Sequence, residues 1–111
     1  PTKKRSFYTK PDPKDPTYSL SYDLLFRGLE IMSGSQRINE HDELVYVIKE
    51  RCLYPFNFEM YLQSFKYGMP PEGGFSFGLE RITMKLLNLS NVREASLFPR
   101  DMERVDERFS H

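Results

Sequence analysis

Gly74-Phe75-Ser76-Phe77-Gly78-Leu79-Glu80-Arg81 is the stretch whose reading decides the fold. Small and apolar residues alternate up to Gly78, the period-2 pattern of a short strand. Beyond it Leu79, Ile82, Leu86 and Leu87 recur at helical spacing, which predicts a helix over about 79–89. A strand therefore turns directly into a helix, with Glu80 and Arg81 at the helix start. Small residues let a ligand approach the backbone, a helix start offers free N–H groups, and an Arg there adds a planar, permanently charged fork. That combination suits a nucleoside triphosphate. The same residues also describe a glycine-rich strand packed on its neighbours, with Arg81 paired to a surface carboxylate. A dinucleotide-binding fingerprint fits poorly, because no strand-helix-strand unit surrounds these glycines.

Upstream, Tyr18, Leu20, Tyr22, Leu24 and Phe26 alternate with Ser19, Ser21 and Asp23, predicting a strand with one buried face. Gly28 permits a turn, and 29–38 reads as a second strand, interrupted by a bulge at Ser33-Gly34-Ser35. The two form an antiparallel hairpin. Asn39 is placed to cap a helix over 40–52, with Glu40, Asp42 and Glu43 in its first turn and Lys49 and Arg51 in its last, as the helix dipole favours. A further helix, 57–66, carries Phe58, Tyr61, Leu62 and Phe65 at helical spacing and stops before Gly68 and Pro70-Pro71. Four of the eight prolines lie in residues 1–16 among Lys3, Lys4, Arg5, Lys10 and Lys14, predicting an extended, solvated lead-in. A folded segment 17–101 and an exposed charged tail 102–111 follow. The class is α+β, an antiparallel sheet flanked by helices.

A second constellation lies on the irregular strand: Glu30, Ser33, Gln36 and Arg37 place a carboxylate, a hydroxyl, an amide and a guanidinium within eight positions. On a regular strand Glu30 faces away from Ser33 and Arg37, and the group is a scatter of polar side chains. If the strand bulges at Ser33-Gly34, carboxylate and hydroxyl converge on one hard cation such as Mg²⁺, and Arg37 is left to grip a substrate carboxylate. Most of the seven Tyr and nine Phe fall on expected core faces rather than on a base-stacking platform.

Composition narrows the field. Sixteen basic residues balance sixteen acidic ones, which excludes a basic nucleic-acid arm. Leu, Ile, Val and Phe supply 29 of the 111 residues, above the roughly 20% below which chains stay disordered. The single Cys52 excludes a disulfide framework, one Cys with two distant His gives no zinc set, and neither His41 nor His111 has a nucleophile nearby for a hydrolase triad. No apolar run approaches ~18 residues and no signal-type start is present, so the expectation is a soluble, cytoplasmic protein without a membrane partner. Pro1 in place of an initiator Met leads us to expect a trimmed or excised chain.

The run 74–81 resembles motif 3 of the class II aminoacyl-tRNA synthetases, with Ser76 where a Gly is more usual. With Phe7-Tyr8-Thr9, Pro11-Asp12, Ser21-Tyr22-Asp23, Glu30-Ile31-Met32-Ser33-Gly34-Ser35-Gln36-Arg37-Ile38, Tyr67-Gly68-Met69-Pro70-Pro71 and Leu97-Phe98-Pro99-Arg100-Asp101, the chain is similar to the aspartyl-tRNA synthetases of the archaeal/eukaryotic type from about Phe7 to Asp101. The Gly-Gly-Phe start of the motif is also similar to asparaginyl enzymes. The resemblance implies that Arg81 is the catalytic arginine on the ATP triphosphate, and that Glu30, Ile31, Ser33 and Gly78 complete the ATP site. It also implies that Glu30 and Ser33 hold Mg²⁺ on the phosphates, and that Ser33, Gln36 and Arg37 bind aspartate through its side-chain carboxylate. Three positions depart from the family pattern: Leu29 stands where a second Glu is common, Asn39 where a His is frequent, and Glu72 where many members have His.

The activity so implied is a ligase of protein biosynthesis. ATP activates aspartate to aspartyl-adenylate, which is then transferred to tRNA by a homodimeric enzyme. The anticodon-binding domain and motifs 1 and 2 of the family are not found in these residues, so the chain reads as the carboxyl-terminal part of the catalytic domain, inactive by itself. The competing readings are a non-catalytic binding module on the same fold, and an asparaginyl-type or non-discriminating aspartyl enzyme.

Overall fold

The computed structural model describes residues 1–100; the charged tail expected over 102–111 lies outside the described residues. Six main elements follow in order: β1 (Ser21–Phe26), β2 (Leu29–Gln36), α1 (His41–Glu50), α2 (Glu59–Lys66), β3 (Gly73–Phe77) and α3 (Leu79–Leu86). Short 3₁₀ turns occupy Thr2–Lys4, Pro55–Phe58 and Val92–Ala95. The strands form one antiparallel sheet in the order β1-β2-β3, so the expected α+β class holds.

The hairpin is set by its turn. Arg27 and Gly28 both have positive φ, 50° and 78°, the type I′ geometry whose twist matches that of the flanking strands. A two-residue turn places Leu29 opposite Phe26, whereas the Gln36 amide donates to Leu20 O at 2.9 Å, so β2 carries one residue more than the segment it pairs with. From Ile31 onward β2 alternates regularly. Ile31 O accepts from the Gly78 amide (2.8 Å) and the Arg37 amide donates to Glu72 O (2.9 Å), two bonds toward the same neighbour at an even spacing. The irregularity therefore lies at 29–31, beside Glu30, and the bulge expected at Ser33-Gly34-Ser35 is not there. The run of small residues there instead admits a ring: a Cβ on Gly34 would stand 2.6 Å from the Tyr22 ring.

The chain divides into two compact units. The first comprises Pro1–Tyr22 and Gly34–Phe75, the second Asp23–Ser33 and the segment from Ser76 onward. The first contains the buried core, Ile38, Leu44, Ile48, Leu62 and Phe65, with Phe7, Tyr8, Val45, Val47, Phe58 and Met69 packed against it. Leu44 and Ile48 are an i, i+4 pair on α1, and Leu62 and Phe65 an i, i+3 pair on α2, so each helix contributes one narrow apolar stripe. Phe65 is the only aromatic in that buried cluster among the described residues, which corrects the expectation that most aromatics fill the core. Tyr54, Phe56, Tyr67, Phe75 and Phe77 are all exposed.

The lead-in is extended but not solvated, a second correction. Thr9 bridges Arg37 and is only 4% exposed, Pro11 bridges Ser19, and the Arg51 guanidinium donates to Thr2 O at 2.9 Å and to Arg5 O. Backbone groups along this segment find partners that a proline-rich composition does not announce. The α1 cap differs as well. Glu40, in extended geometry, is the N-cap and makes no side-chain bond, and Asn39, expected to cap the helix, instead donates its side-chain amide to Met69 O, 3.1 Å away.

In the second unit α3 ends at Leu86. Asn88 has φ 54° and Leu89 N–H donates to Met84 O at 2.8 Å, the wrapped ending in which a left-handed residue satisfies an orphan carbonyl. The helix predicted to Leu89 is thereby stopped one turn earlier. Its apolar stripe is uncovered, with Leu79 72% exposed, and β1, expected to have a buried face, exposes Tyr22, Leu24 and Leu25.

Candidate functional site

Each unit gathers one set of the residues singled out in the sequence. In the second unit, Gly78 closes β3 and starts α3: its amide bonds Ile31 O and its carbonyl accepts from the Ile82 amide at 3.0 Å. Three residues on, Arg81 turns its guanidinium back to Glu30 O, with Nη1 donating at 2.9 Å. Glu30 and Arg81, and Ile31 and Gly78, are thus each joined by one bond to a strand carbonyl. Ser33 is half-buried on the same strand.

Gly78 has φ −80° and ψ 98°, values open to any residue, and a Cβ there would meet only Arg81 carbons at 3.4–3.5 Å. Among the described residues neither its backbone angles nor the nearest neighbours of such a Cβ demand a glycine. Arg81 remains exposed beside it. An open floor, a helix start and a fixed guanidinium are the requirements of a polyphosphate site.

The first unit holds the other set. Arg37 Nη1 donates to Ser35 Oγ, and its guanidinium carbon lies 4.8 Å from the centre of the Tyr8 ring. Gly74 lies against the same guanidinium. A cavity of about 410 Å³ is lined by Tyr22, Ser35, Gln36, Glu72, Gly73 and Gly74, among others. Gln36 borders it, and Arg37 lies against two of its lining residues, Ser35 and Gly74. Tyr61 is near enough to sense this cluster. Burial first, then the Glu72 charge, raises its phenol above the ordinary 10.0, while Arg37 pulls it down.

Sequence reasoning missed Tyr8, Ser35 and Tyr61 as parts of this site. Tyr8 falls in the segment expected to be an extended, solvated lead-in, 29 positions before Arg37, and no local period connects them. Ser33 and Glu30 are the reverse case: singled out as a pair, they are a carboxylate and a hydroxyl on one strand whose parity breaks at 29–31. Among the described residues no cluster of three or more His, Cys, Asp or Glu could hold a metal by itself.

An antiparallel sheet whose last strand runs directly into a helix with an arginine in its first turn matches the class II tRNA synthetase fold. The sequence pattern of the family "tRNA synthetases class II (D, K and N)" matches residues 1–102, and the chain belongs to that family. Within it, the chain is 50% identical over 105 residues to an aspartate–tRNA(Asp/Asn) ligase of Methanothermobacter thermautotrophicus and 53% identical to that of Thermus thermophilus. Each alignment covers 95% of this chain and 24% of the relative, so the chain spans about a quarter of the length of these relatives. Among solved structures it is similar to the aspartyl-tRNA synthetase of Entamoeba histolytica, with a TM-score of 0.89 and 46% identity over 95% of this chain and 22% of that one. It is also similar to the asparaginyl-tRNA synthetase of the same organism in complex with asparaginyl-adenylate, with a TM-score of 0.89 and 40% identity over 96% of this chain and 25% of that one.

Proposed function

We propose that this chain is the carboxyl-terminal part of the catalytic domain of a cytoplasmic, homodimeric aspartate–tRNA ligase. In this reading it supplies the catalytic arginine Arg81 and the side-chain receptor Arg37. The reaction joins the α-carboxylate of aspartate to the α-phosphate of ATP, expels pyrophosphate, and then passes the aspartyl group to tRNA. The observation that carries this reading is the braced Arg37: a planar cation fixed beside the cavity favours a side-chain carboxylate over an amide, because only the carboxylate neutralises it.

The division of labour follows from the residues. Arg81, oriented by its bond to Glu30 O, neutralises charge on the triphosphate, and Gly78 leaves the floor open for the nucleotide. Ser33 and Gln36 contribute a hydroxyl and an amide to the aspartate. Glu30 and Ser33, both hard oxygen donors, fit Mg²⁺, a cation that keeps waters, takes few protein ligands and draws the rest from phosphate; bound there, it would offset phosphate charge. Catalysis is by positioning and charge stabilisation rather than by a covalent step on the protein. Glu72 on the cavity wall adds a negative charge that opposes a second carboxylate, and it makes the grip of Arg37 more necessary.

The test is aspartate-dependent pyrophosphate–ATP exchange by the full-length protein that carries this segment. Exchange is expected, and Arg37→Leu is expected to lower kcat/KM for aspartate by on the order of 3–5 kcal/mol, with ATP affinity retained. An unchanged kcat/KM for aspartate in that variant would remove Arg37 from the role.

A further inference from the structure

The guanidinium of Arg37 is restrained from three directions by three separate parts of the chain, all within the first unit. Ser35 Oγ accepts from Nη1. The Tyr8 ring lies 4.8 Å from the guanidinium carbon. On Gly74 a Cβ would stand 2.8 Å from Nη2, 3.3 Å from Nε and 3.4 Å from the guanidinium carbon. The first of these distances is impossible for a real methyl group, so the place occupied by the guanidinium exists only because residue 74 has no side chain.

Gly74 is not a glycine for conformational reasons. The positive-φ glycines of the described chain are Gly28 and Gly68, and Gly74 sits mid-strand in β3. Alanine there is compatible with the backbone. The strand beside it is tied by the bond from the Arg37 amide to Glu72 O, 2.9 Å, so a Cβ would displace the flexible end of Arg37 before it displaced β3.

We propose that Gly74 is a specificity-determining position and Tyr8 a positioning residue. The missing side chain at 74 and the ring at 8 together hold the Arg37 guanidinium in the one orientation that selects a side-chain carboxylate over the matching amide. This rests on the reading of Arg37 as the carboxylate receptor. A fork-shaped donor discriminates by direction as well as by charge, so moving its tip by about an ångström weakens selection without touching the nucleotide site.

The experiment measures pyrophosphate–ATP exchange in the full-length protein carrying Gly74→Ala, Tyr8→Leu, Tyr8→Phe or Arg37→Leu, with aspartate and ATP varied separately and asparagine as competitor. Gly74→Ala is expected to raise the KM for aspartate roughly 10- to 100-fold and to narrow the preference for aspartate over asparagine, with the KM for ATP within about twofold of the parent. Tyr8→Leu should move the same two readouts, and Tyr8→Phe, which keeps the ring face, should restore them. Should Gly74→Ala fail to fold, the Tyr8→Leu and Tyr8→Phe pair decides. The proposal is overturned if Arg37→Leu abolishes aspartate use while Gly74→Ala and Tyr8→Leu leave its KM unchanged, or if the KM for ATP rises in step with that for aspartate. If Arg37→Leu itself has no effect, the receptor reading has failed, and this inference falls with it.

Discussion

At the scale of single residues, two groups carry consequences that a measurement can reach. Tyr61 has its phenol raised above 10.0 by burial and by Glu72. A raised value means that the folded chain favours the neutral phenol, while the unfolded chain ionises at the ordinary value. The contribution of Tyr61 to stability is therefore complete below pH 10 and is lost as pH climbs through the raised value. Tyr61→Phe, which cannot ionise, is expected to show a shallower alkaline fall in stability than the parent, checked by denaturant midpoints at pH 9, 10 and 11. An identical fall in both would show that the phenol is not held neutral. Gly78 makes the complementary case. Its backbone and its surroundings accept a Cβ, so Gly78→Ala is expected to leave the unfolding free energy of the full-length protein within the range of about ±0.5 kcal/mol typical of unconstrained sites. It should nevertheless raise the KM for ATP. A stability loss with unchanged ATP affinity would make Gly78 a structural glycine.

At the scale of elements, the helices show one shared device. Beyond α1 stands Cys52 with φ 58°, beyond α2 Gly68 with φ 104°, and beyond α3 Asn88 with φ 54°, each in the left-handed region. After α1, Leu53 N–H reaches Ile48 O at 3.0 Å, the same wrapped ending found after α3. Glycine adopts this conformation without steric cost and asparagine at little, but cysteine carries a Cβ that costs about 1–2 kcal/mol there. Cys52 is exposed and free of disulfides. Cys52→Gly is expected to stabilise the full-length protein by about 1 kcal/mol, visible as a raised thermal midpoint. A lowered midpoint would mean that the Cys side chain makes a contact worth more than the strain. The three endings also explain why helices predicted to run to 52 and 89 stop at Glu50 and Leu86: hydrophobic spacing continues through a residue whose φ has already reversed the chain.

For the whole molecule, the decisive quantity is uncovered apolar surface. β1 and β3 are the outer strands of the sheet. β1 exposes Tyr22, Leu24 and Leu25, β3 exposes Phe75 and Phe77, and α3 exposes Leu79 and Leu86. Within β1 the sole charged residue is Asp23, and the strand has no proline, so few features oppose edge-to-edge pairing. The isolated 111-residue chain is expected to self-associate, read as a mass above 13.2 kDa in light scattering, and to give no aspartate-dependent exchange. A monodisperse monomer with a cooperative melt would instead make this segment a self-sufficient domain and favour the binding-module reading. No helix among the described residues is long and apolar enough to cross a membrane.

The sequence by itself determined the kinds of element and the residues of interest. The alternation before Phe26, the turn at Gly28, the helical stripes of Leu44, Ile48, Leu62 and Phe65, and the strand-to-helix run 74–81 are all encoded by neighbours a few positions apart. Glu30, Arg37 and Arg81 stand out by chemical type for the same local reason. Only the tertiary structure decided what those residues meet. Arg37 is braced by Tyr8, 29 positions before it, and given room by Gly74, 37 positions after it. The parity of β2 breaks beside Glu30 because a tight turn and a later backbone bond impose two different registers, and the proline-rich lead-in docks because the Arg51 guanidinium and the backbone of Gln36 and Ile38 bond to its backbone. Periodicity records which face a side chain takes along its own element. Which distant group waits on that face is set by register and packing, and these depend on every intervening turn at once.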